Sequence, residues 1–247
     1  MRLLAIFAIL LFCSCKKNEN HNVIRFGIDV LAPPYSYIEN GQISGFLIDL
    51  DNEIAKSLNK TPKYYIMRWV DMIGALNSNH VDVLGVMTIT EERKKNVDFS
   101  DPYYFDYITA VFRKNDQIVS KSDLNNKKIS VTVGGAPEVF ATTNLNDVKL
   151  IFSDSDPLSI ELLKAKYVDA VLMEASAASI FIKKHSDLSY KIVQRIKNGA
   201  AIATQKNSAL TSEVNKTLDN LKKKGVIKKL EKKWFGDIGL SENNWLK

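Results

Sequence analysis

The stretch Val81-Asp82-Val83-Leu84-Gly85-Val86-Met87-Thr88-Ile89-Thr90-Glu91-Glu92-Arg93 decides how this chain folds. Residues Val81 to Val86 are almost wholly apolar, as expected of a strand buried on both faces of a sheet. Polar residues then take over, and Thr90 has the chemistry of a helix N-cap ahead of Glu91-Glu92-Arg93. A strand that turns directly into a helix is the building unit of an α/β sheet. It leaves a polar group at the carboxyl end of the strand, where ligands bind in such folds.

The same alternation runs outward in both directions. Upstream, Val23 to Ile28 and Lys63 to Met67 read as strands. Leu47, Leu50, Ile54 and Leu58 recur at helical spacing, predicting a helix over 46–59, and Val70 to Ser78 predicts another. Downstream, Ile108 to Phe112, Ile129 to Val133, Val148 to Phe152, Ala170 to Met173 and Ala200 to Thr204 read as strands. Helices are expected at 137–144, 157–166, 175–184 and from Ser208 to Trp234, with Asp156-Pro157 read as an N-cap followed by a proline at N1. Two α/β units on one chain imply two lobes with a cleft between them. The expected division is 23–107 plus 201–247 for one lobe and 108–200 for the other, the chain crossing near Tyr107 to Ala110 and Gly199 to Ala203.

The N-terminus carries a separate message. Arg2 precedes the apolar run Leu3 to Phe12, too short to span a bilayer but suited to a secretory signal over residues 1–14. Phe12-Cys13-Ser14-Cys15 resembles a bacterial lipobox, so Cys15 is the expected lipidation site, with 15–22 as a polar tether. Those are the only two cysteines. Once the signal is removed and Cys15 acylated, no thiol remains for a disulfide, redox motif or thiolate metal site. The net charge of +6 is concentrated between Lys222 and Lys233, without interleaved aromatics or a nucleic-acid motif. That pattern reads as a solvated helix face, with docking to an anionic membrane as the other reading, and no nucleic-acid partner is expected. The scattered His21, His80 and His185 imply neither a metal site nor a catalytic triad, and no cofactor is expected.

Several residues could face a cleft. Arg93, in the first turn of a helix, is placed unfavourably against the dipole. Either a ligand anion held with the Thr88 hydroxyl compensates it, or Glu91 and Glu92 do. Asp29 and Glu174 end strands; they could accept hydrogen bonds from a ligand, or brace the Pro33-Pro34 turn and cap the following helix, respectively. Trp69 and Tyr35 are either core aromatics or cleft walls. Gly134-Gly135 permits close backbone approach.

These segments resemble the periplasmic amino-acid-binding family that serves ABC importers, from Ile24 to about Phe235. Its strongest blocks are Gly27-Ile28-Asp29 through Pro33-Pro34-Tyr35, then Gly45 to Leu50, and Asp82 through Arg93 to Val97-Asp98-Phe99-Ser100-Asp101-Pro102-Tyr103-Tyr104. The resemblance implies a type II periplasmic binding fold of two hinged α/β lobes. It implies that Arg93 takes a ligand α-carboxylate with Thr88, near a carbonyl at Gly85. Glu174 would take the α-ammonium, Asp29 the end of a polar side chain, and Trp69 would form a wall. Gly135 and Ala136 fall on the second-lobe loop. The sequence departs from the family at Ala32, where a stacking aromatic is usual, at Ala136, where a threonine is common, and at Glu174, one methylene longer than the usual aspartate.

The expected function is that of a lipid-anchored, monomeric solute-binding protein at the periplasm or cell surface. It would capture a polar amino acid and deliver it to ABC permease subunits without altering it. Two alternatives share the fold. A sensory protein would use the same clamp through a separate partner. Cyclohexadienyl dehydratases share the Gly134 to Phe140 loop pattern but carry a catalytic glutamate where this chain has Ala177, so the general acid for elimination is missing.

Overall fold

The computed structural model describes residues 22–236 apart from Gln117. The signal segment and Cys15 therefore lie outside the described residues. Strand β1 (Val23–Ile28) leads into a three-stranded antiparallel meander of β2 (Leu31–Ala32), β3 (Ser36–Glu39) and β4 (Gln42–Ser44). Asn40 and Gly41, both at positive φ, form its tip. Helix α1 (Phe46–Ser57) follows Gly45, whose φ of 133° only glycine adopts freely; a Cβ there would lie 2.2 Å from the Tyr35 carbonyl oxygen.

Next come β5 (Thr61–Ile66), a single 3-10 turn at Trp69–Asp71, α2 (Met72–Asn77), β6 (Val83–Thr88), α3 (Glu91–Lys94) and β7 (Val97–Phe99). The second unit contains β8 (Tyr107–Arg113), β9 (Lys128–Thr132), α4 (Ala136–Asn144), β10 (Lys149–Ser153), α5 (Asp156–Lys164), β11 (Ala170–Glu174), α6 (Ala175–Lys184) and β12 (Leu188–Arg195). The chain closes with β13 (Ala200–Gln205), α7 (Ala209–Lys223) and α8 (Val226–Phe235). The helices expected from Ser208 to Trp234 are these two, parted at Gly225 in a left-handed conformation.

Two five-stranded sheets result, ordered β5-β1-β6-β13-β7 and β10-β9-β11-β8-β12. Each is parallel through its βαβ part and antiparallel where the returning strand enters: β13 runs against β6 and β7, and β8 against β11 and β12. Both faces of each sheet are covered, as parallel strands with near-continuous apolar runs require. One face of the first sheet packs Phe26, Phe46, Ile54, Val214 and Phe235, and the other Met72, Leu76, Leu84 and Met87. Phe46 is fully buried, a stabilisation of roughly 1.5–3 kcal/mol. The second sheet has α4 over Ile129, Val131 and Leu172, and α5 with α6 over Val111, Val171 and Met173.

The chain passes between the sheets after β7 and again before β13. The two passages are tied together: the Ile196 N–H donates to the Asp106 carbonyl at 2.9 Å, and the Ala200 N–H to the Tyr104 carbonyl at 2.7 Å. Between the facing strand ends lies a cavity.

Candidate functional site

The cavity collects residues from both sheets, and all nine predicted ligand-site residues line it: Asp29, Tyr35, Trp69, Gly85, Thr88, Arg93, Gly135, Ala136 and Glu174. Its volume is about 130 Å³. A single water needs roughly 10–15 Å³, so a small organic molecule fits. Ala32 lies on the lining too, as do the unpredicted Asp106, Asp154 and Asp156.

Arg93 owes its position to its short helix. The Thr90 hydroxyl accepts from the Arg93 N–H at 3.2 Å, capping α3 as its sequence suggests. Glu91 and Glu92 do not compensate the guanidinium; they pair with Lys94 and Lys95 at 2.7 and 2.5 Å on the exposed side. Arg93 instead turns inward over the Trp69 ring, 5.1 Å from its centroid. Its Nη1 donates to the Thr88 carbonyl at 2.7 Å and its Nη2 reaches the Gly134 carbonyl of the second lobe at 2.5 Å. Gly134 has φ of +72° and a side chain there would abut the Trp69 indole. Burial pulls the Arg93 guanidinium below its usual basicity, with the nearby Glu174 charge opposing that shift.

Glu174 ends β11 and stands at the N-cap of α6, yet its side chain makes no capping bond. Its carboxyl is left to the cavity. Burial, with the charges of Asp156 and Asp106, pushes it up to about 8, against opposing pulls from a hydrogen bond to its own backbone N–H and from Arg93. Asp29 lies on the cavity lining and also bonds locally, though to Leu31 rather than to the Pro33-Pro34 turn. Its Oδ1 accepts from the Leu31 N–H at 2.9 Å, bracing the turn after β1, while the rest of the carboxylate faces the cavity. Burial raises its pKa, and the Leu31 hydrogen bond partly offsets that rise.

Asp156 is not the N-cap that Asp156-Pro157 suggested. Ser155 caps α5, its hydroxyl accepting from the Leu158 N–H, and Asp156 is the first helical residue. This frees the Asp156 carboxyl to point inward, where Oδ1 accepts from the Thr132 hydroxyl at 2.8 Å. Burial pushes it up to about 6, the nearby Asp29 adding to the shift and Thr132 opposing it.

Tyr35 lines the cavity with its ring but not with a free hydroxyl. That hydroxyl donates to Asp106 Oδ2 at 2.9 Å and lies 2.6 Å from Ser176 Oγ, and the ring packs on Tyr104 and Phe235. Asp106 is a hub that no motif signalled. It also accepts from Ser176 Oγ at 2.6 Å, from Tyr104 Oη at 3.3 Å and from the Tyr107 N–H at 2.7 Å. Its one legible hint is an acid set among aromatics just before a strand.

The two-sheet fold that frames this cavity has counterparts among known proteins. Residues 24–237 match the family model described as bacterial extracellular solute-binding proteins, family 3. This chain belongs to that family. The solute-binding protein is 30% identical over 227 residues to the L-cystine-binding protein of Escherichia coli, covering 89% of this chain and 85% of that one. It is 36% identical over 212 residues to the arginine-binding extracellular protein of Bacillus subtilis, covering 82% of each. A solved structure of an ancestral amino acid-binding protein, described as a precursor of cyclohexadienyl dehydratase, superimposes with a TM-score of 0.81 at 32% identity, covering 87% of this chain and 96% of that one. The solute-binding protein therefore has the type II periplasmic binding fold. Among its described residues no helix is long and apolar enough to cross a membrane.

Proposed function

We propose that this protein is the extracytoplasmic capture subunit of an ABC importer and that its cargo is an α-amino acid held between the lobes. The observation that carries this reading is the presence of Arg93, on α3, and Glu174, at the end of β11, in one cavity, close enough for the charge of Glu174 to act on Arg93. A zwitterionic ligand laid between them satisfies both. Its carboxylate takes the guanidinium donors now spent on the Thr88 and Gly134 carbonyls, with the Thr88 hydroxyl alongside, and its ammonium neutralises the Glu174 carboxylate. Trp69 walls the ligand on the first lobe, and Gly85, Gly135 and Ala136 let backbone approach it closely. Because the two halves of the clamp sit on different lobes, ligand binding favours the closed arrangement over an open one. The lobes are taken as 23–107 with 201–247, and 108–200, hinged at the two passages. Relatives named for binding cystine and arginine support the cargo class.

Acylation at Cys15 would hold the protein at the membrane as a monomer, beside the permease subunits that receive the cargo. The dehydratase reading has less behind it, because Ala177 is buried in the core of the second lobe and does not line the cavity.

The test is isothermal titration of the purified chain lacking residues 1–15 against the proteinogenic amino acids and cystine, with Arg93→Ala alongside. The expected result is a binder whose affinity falls about a hundredfold or more in the variant. Equal affinity in both would remove the carboxylate site.

A further inference from the structure

The lysines of α7 and α8 have no part in the cargo site, since none of them lines the cavity. Residues 216–233 hold eight lysines against Asp219 and Glu231, a net charge of +6 that equals that of the whole chain. The rest of the chain is therefore electrically balanced, and the positive charge belongs to one lobe. All eight lysines are exposed. Packing fixes the side they take. Helix α8 turns Ile227, Leu230, Trp234 and Phe235 to the first-lobe core, so Lys228, Lys229 and Lys232 share its outward side. The turn at Gly225 brings the end of α7 back beside α8, where Lys222 and Lys228 both act on the Glu231 carboxyl. The lysines of the two helices thus form one surface.

Helix dipoles account for only part of this arrangement. Lys222 and Lys223 stand in the last turn of α7, and Lys232 and Lys233 in the last turn of α8, where cations are favoured. Lys228 and Lys229 stand at the other end of α8, near its positive pole, in a first turn that holds no acid. Ion pairs do not dissipate the charge either. Lys223 pairs with Asp219 and Lys233 with Asp49; among the described residues, Lys224, Lys229 and Lys232 meet no carboxylate. Like charges gathered on one face repel, a cost that an anionic surface removes.

The lobe that carries this face is also the one that the N-terminal segment enters, because Ile24 of β1 packs in the same core cluster as Leu221 and Ile227. With Cys15 acylated as proposed above, residues 16–22 span at most about 25 Å at full extension. Such an anchor keeps the lysines near headgroups at a high effective concentration. Each lysine close to an anionic bilayer strengthens attachment about fivefold. We propose that the outer face of α7 and α8 is a docking surface for anionic lipid headgroups, which lays the first lobe on the membrane and leaves the cavity free to take cargo. The Cys15 reading supplies the proximity; the charge of the face is independent of it.

The experiment is co-sedimentation of the chain lacking residues 1–15, which keeps every described residue, with vesicles of equal parts phosphatidylglycerol and phosphatidylcholine or of phosphatidylcholine alone. Lys224→Gln/Lys229→Gln/Lys232→Gln is compared with Lys184→Gln/Lys191→Gln/Lys197→Gln, which removes the same charge from exposed sites on the second lobe. Wild type should partition at least tenfold more strongly into the anionic vesicles, and high salt should abolish the difference. The first variant should lose about tenfold or more, and the second should stay within about threefold of wild type. Equal partition into both vesicles overturns the proposal, as does an equal loss in the two variants, which would reduce the effect to net charge. Binding to soluble polyphosphate without binding to anionic vesicles overturns it too, in favour of a soluble polyanion. Amino-acid titration of the first variant should match wild type, so that failure on vesicles leaves the cargo reading standing.

Discussion

The phenolic oxygen of Tyr35 and the hydroxyl of Ser176 stand 2.6 Å apart, joining the loop between β2 and β3 to the first turn of α6 across the cleft. Both hydroxyls also lie within reach of Asp106 Oδ2, so two protons serve three contacts. This group closes one side of the cavity and sits on the first passage between lobes. Tyr35→Phe keeps the ring packed on Tyr104 and Phe235 but removes the bridging oxygen. The ligand-free variant should lose about 1–2 kcal/mol of stability and become more extended, with a larger radius of gyration by small-angle scattering. An unchanged radius in the variant would mean that the bridge does not hold the lobes.

On the proposed reading, Arg93 meets the ligand carboxylate through a fork rather than as a point charge. Arg93→Lys retains the positive charge yet cannot present two parallel donors. Affinity for the cargo should fall about tenfold or more, with the loss in the dissociation rate rather than the association rate. Surface plasmon resonance separates the two. A lysine variant that binds like wild type would show that charge alone suffices.

On the proposed reading, in which Glu174 receives the ligand ammonium, binding depends on pH. With the Glu174 pKa raised to about 8 by burial and the neighbouring acids, the empty site holds a proton at neutral pH. A ligand ammonium requires the ionised form, so binding expels that proton. Affinity should therefore climb with pH, by up to about tenfold per unit, until it levels near pH 8. Glu174→Gln should flatten that part of the profile. The sign for stability is opposite. A carboxyl whose folded pKa is raised favours the fold fully below its ordinary value and loses that contribution as pH rises through about 8. The ligand-free protein should accordingly melt lower at pH 8 than at pH 5.

Asp51 offers a separate pH test away from the cavity. It lies on α1, 1% exposed, and neither carboxylate oxygen has a hydrogen-bond partner. Burial holds its pKa well above the usual carboxylate range, so it too weakens the fold as pH rises past the ordinary aspartate range. Asp51→Asn should raise stability by about 1–3 kcal/mol at pH 8 and by little near pH 4. Urea denaturation at the two pH values reads the difference, and an equal effect at both would show that Asp51 is not the titrating group.

How far the sequence could be read depended on what each signal was made of. The turn from β6 into α3 was legible because an apolar run, a capping threonine and an arginine succeed one another locally. The edge strand β12 was not, since Leu188 to Arg195 is mostly half-exposed and shows no clean alternation. The meander strands β2 to β4 are two to four residues long, below the length at which periodicity can be seen. In the site, the predicted residues stand at strand ends or in recognisable blocks. Asp156 was misread because an acid before proline has the same local pattern whether it caps the helix or begins it; the neighbouring Ser155 decided the matter. Its opposition to Asp29 comes from lobe packing, to which no local pattern points.

The central position of β13 has a consequence for how the molecule comes into being. Ala200 to Gln205 lies between β6 and β7 and supplies hydrogen bonds to both, yet it is made after every strand of the second sheet. A chain emerging from its N-terminus can complete the second lobe, which is contiguous, while the first still shows two unpaired strand edges. The later-made lobe is thus the first able to finish folding, and the half that carries Arg93 waits for β13 to close its sheet.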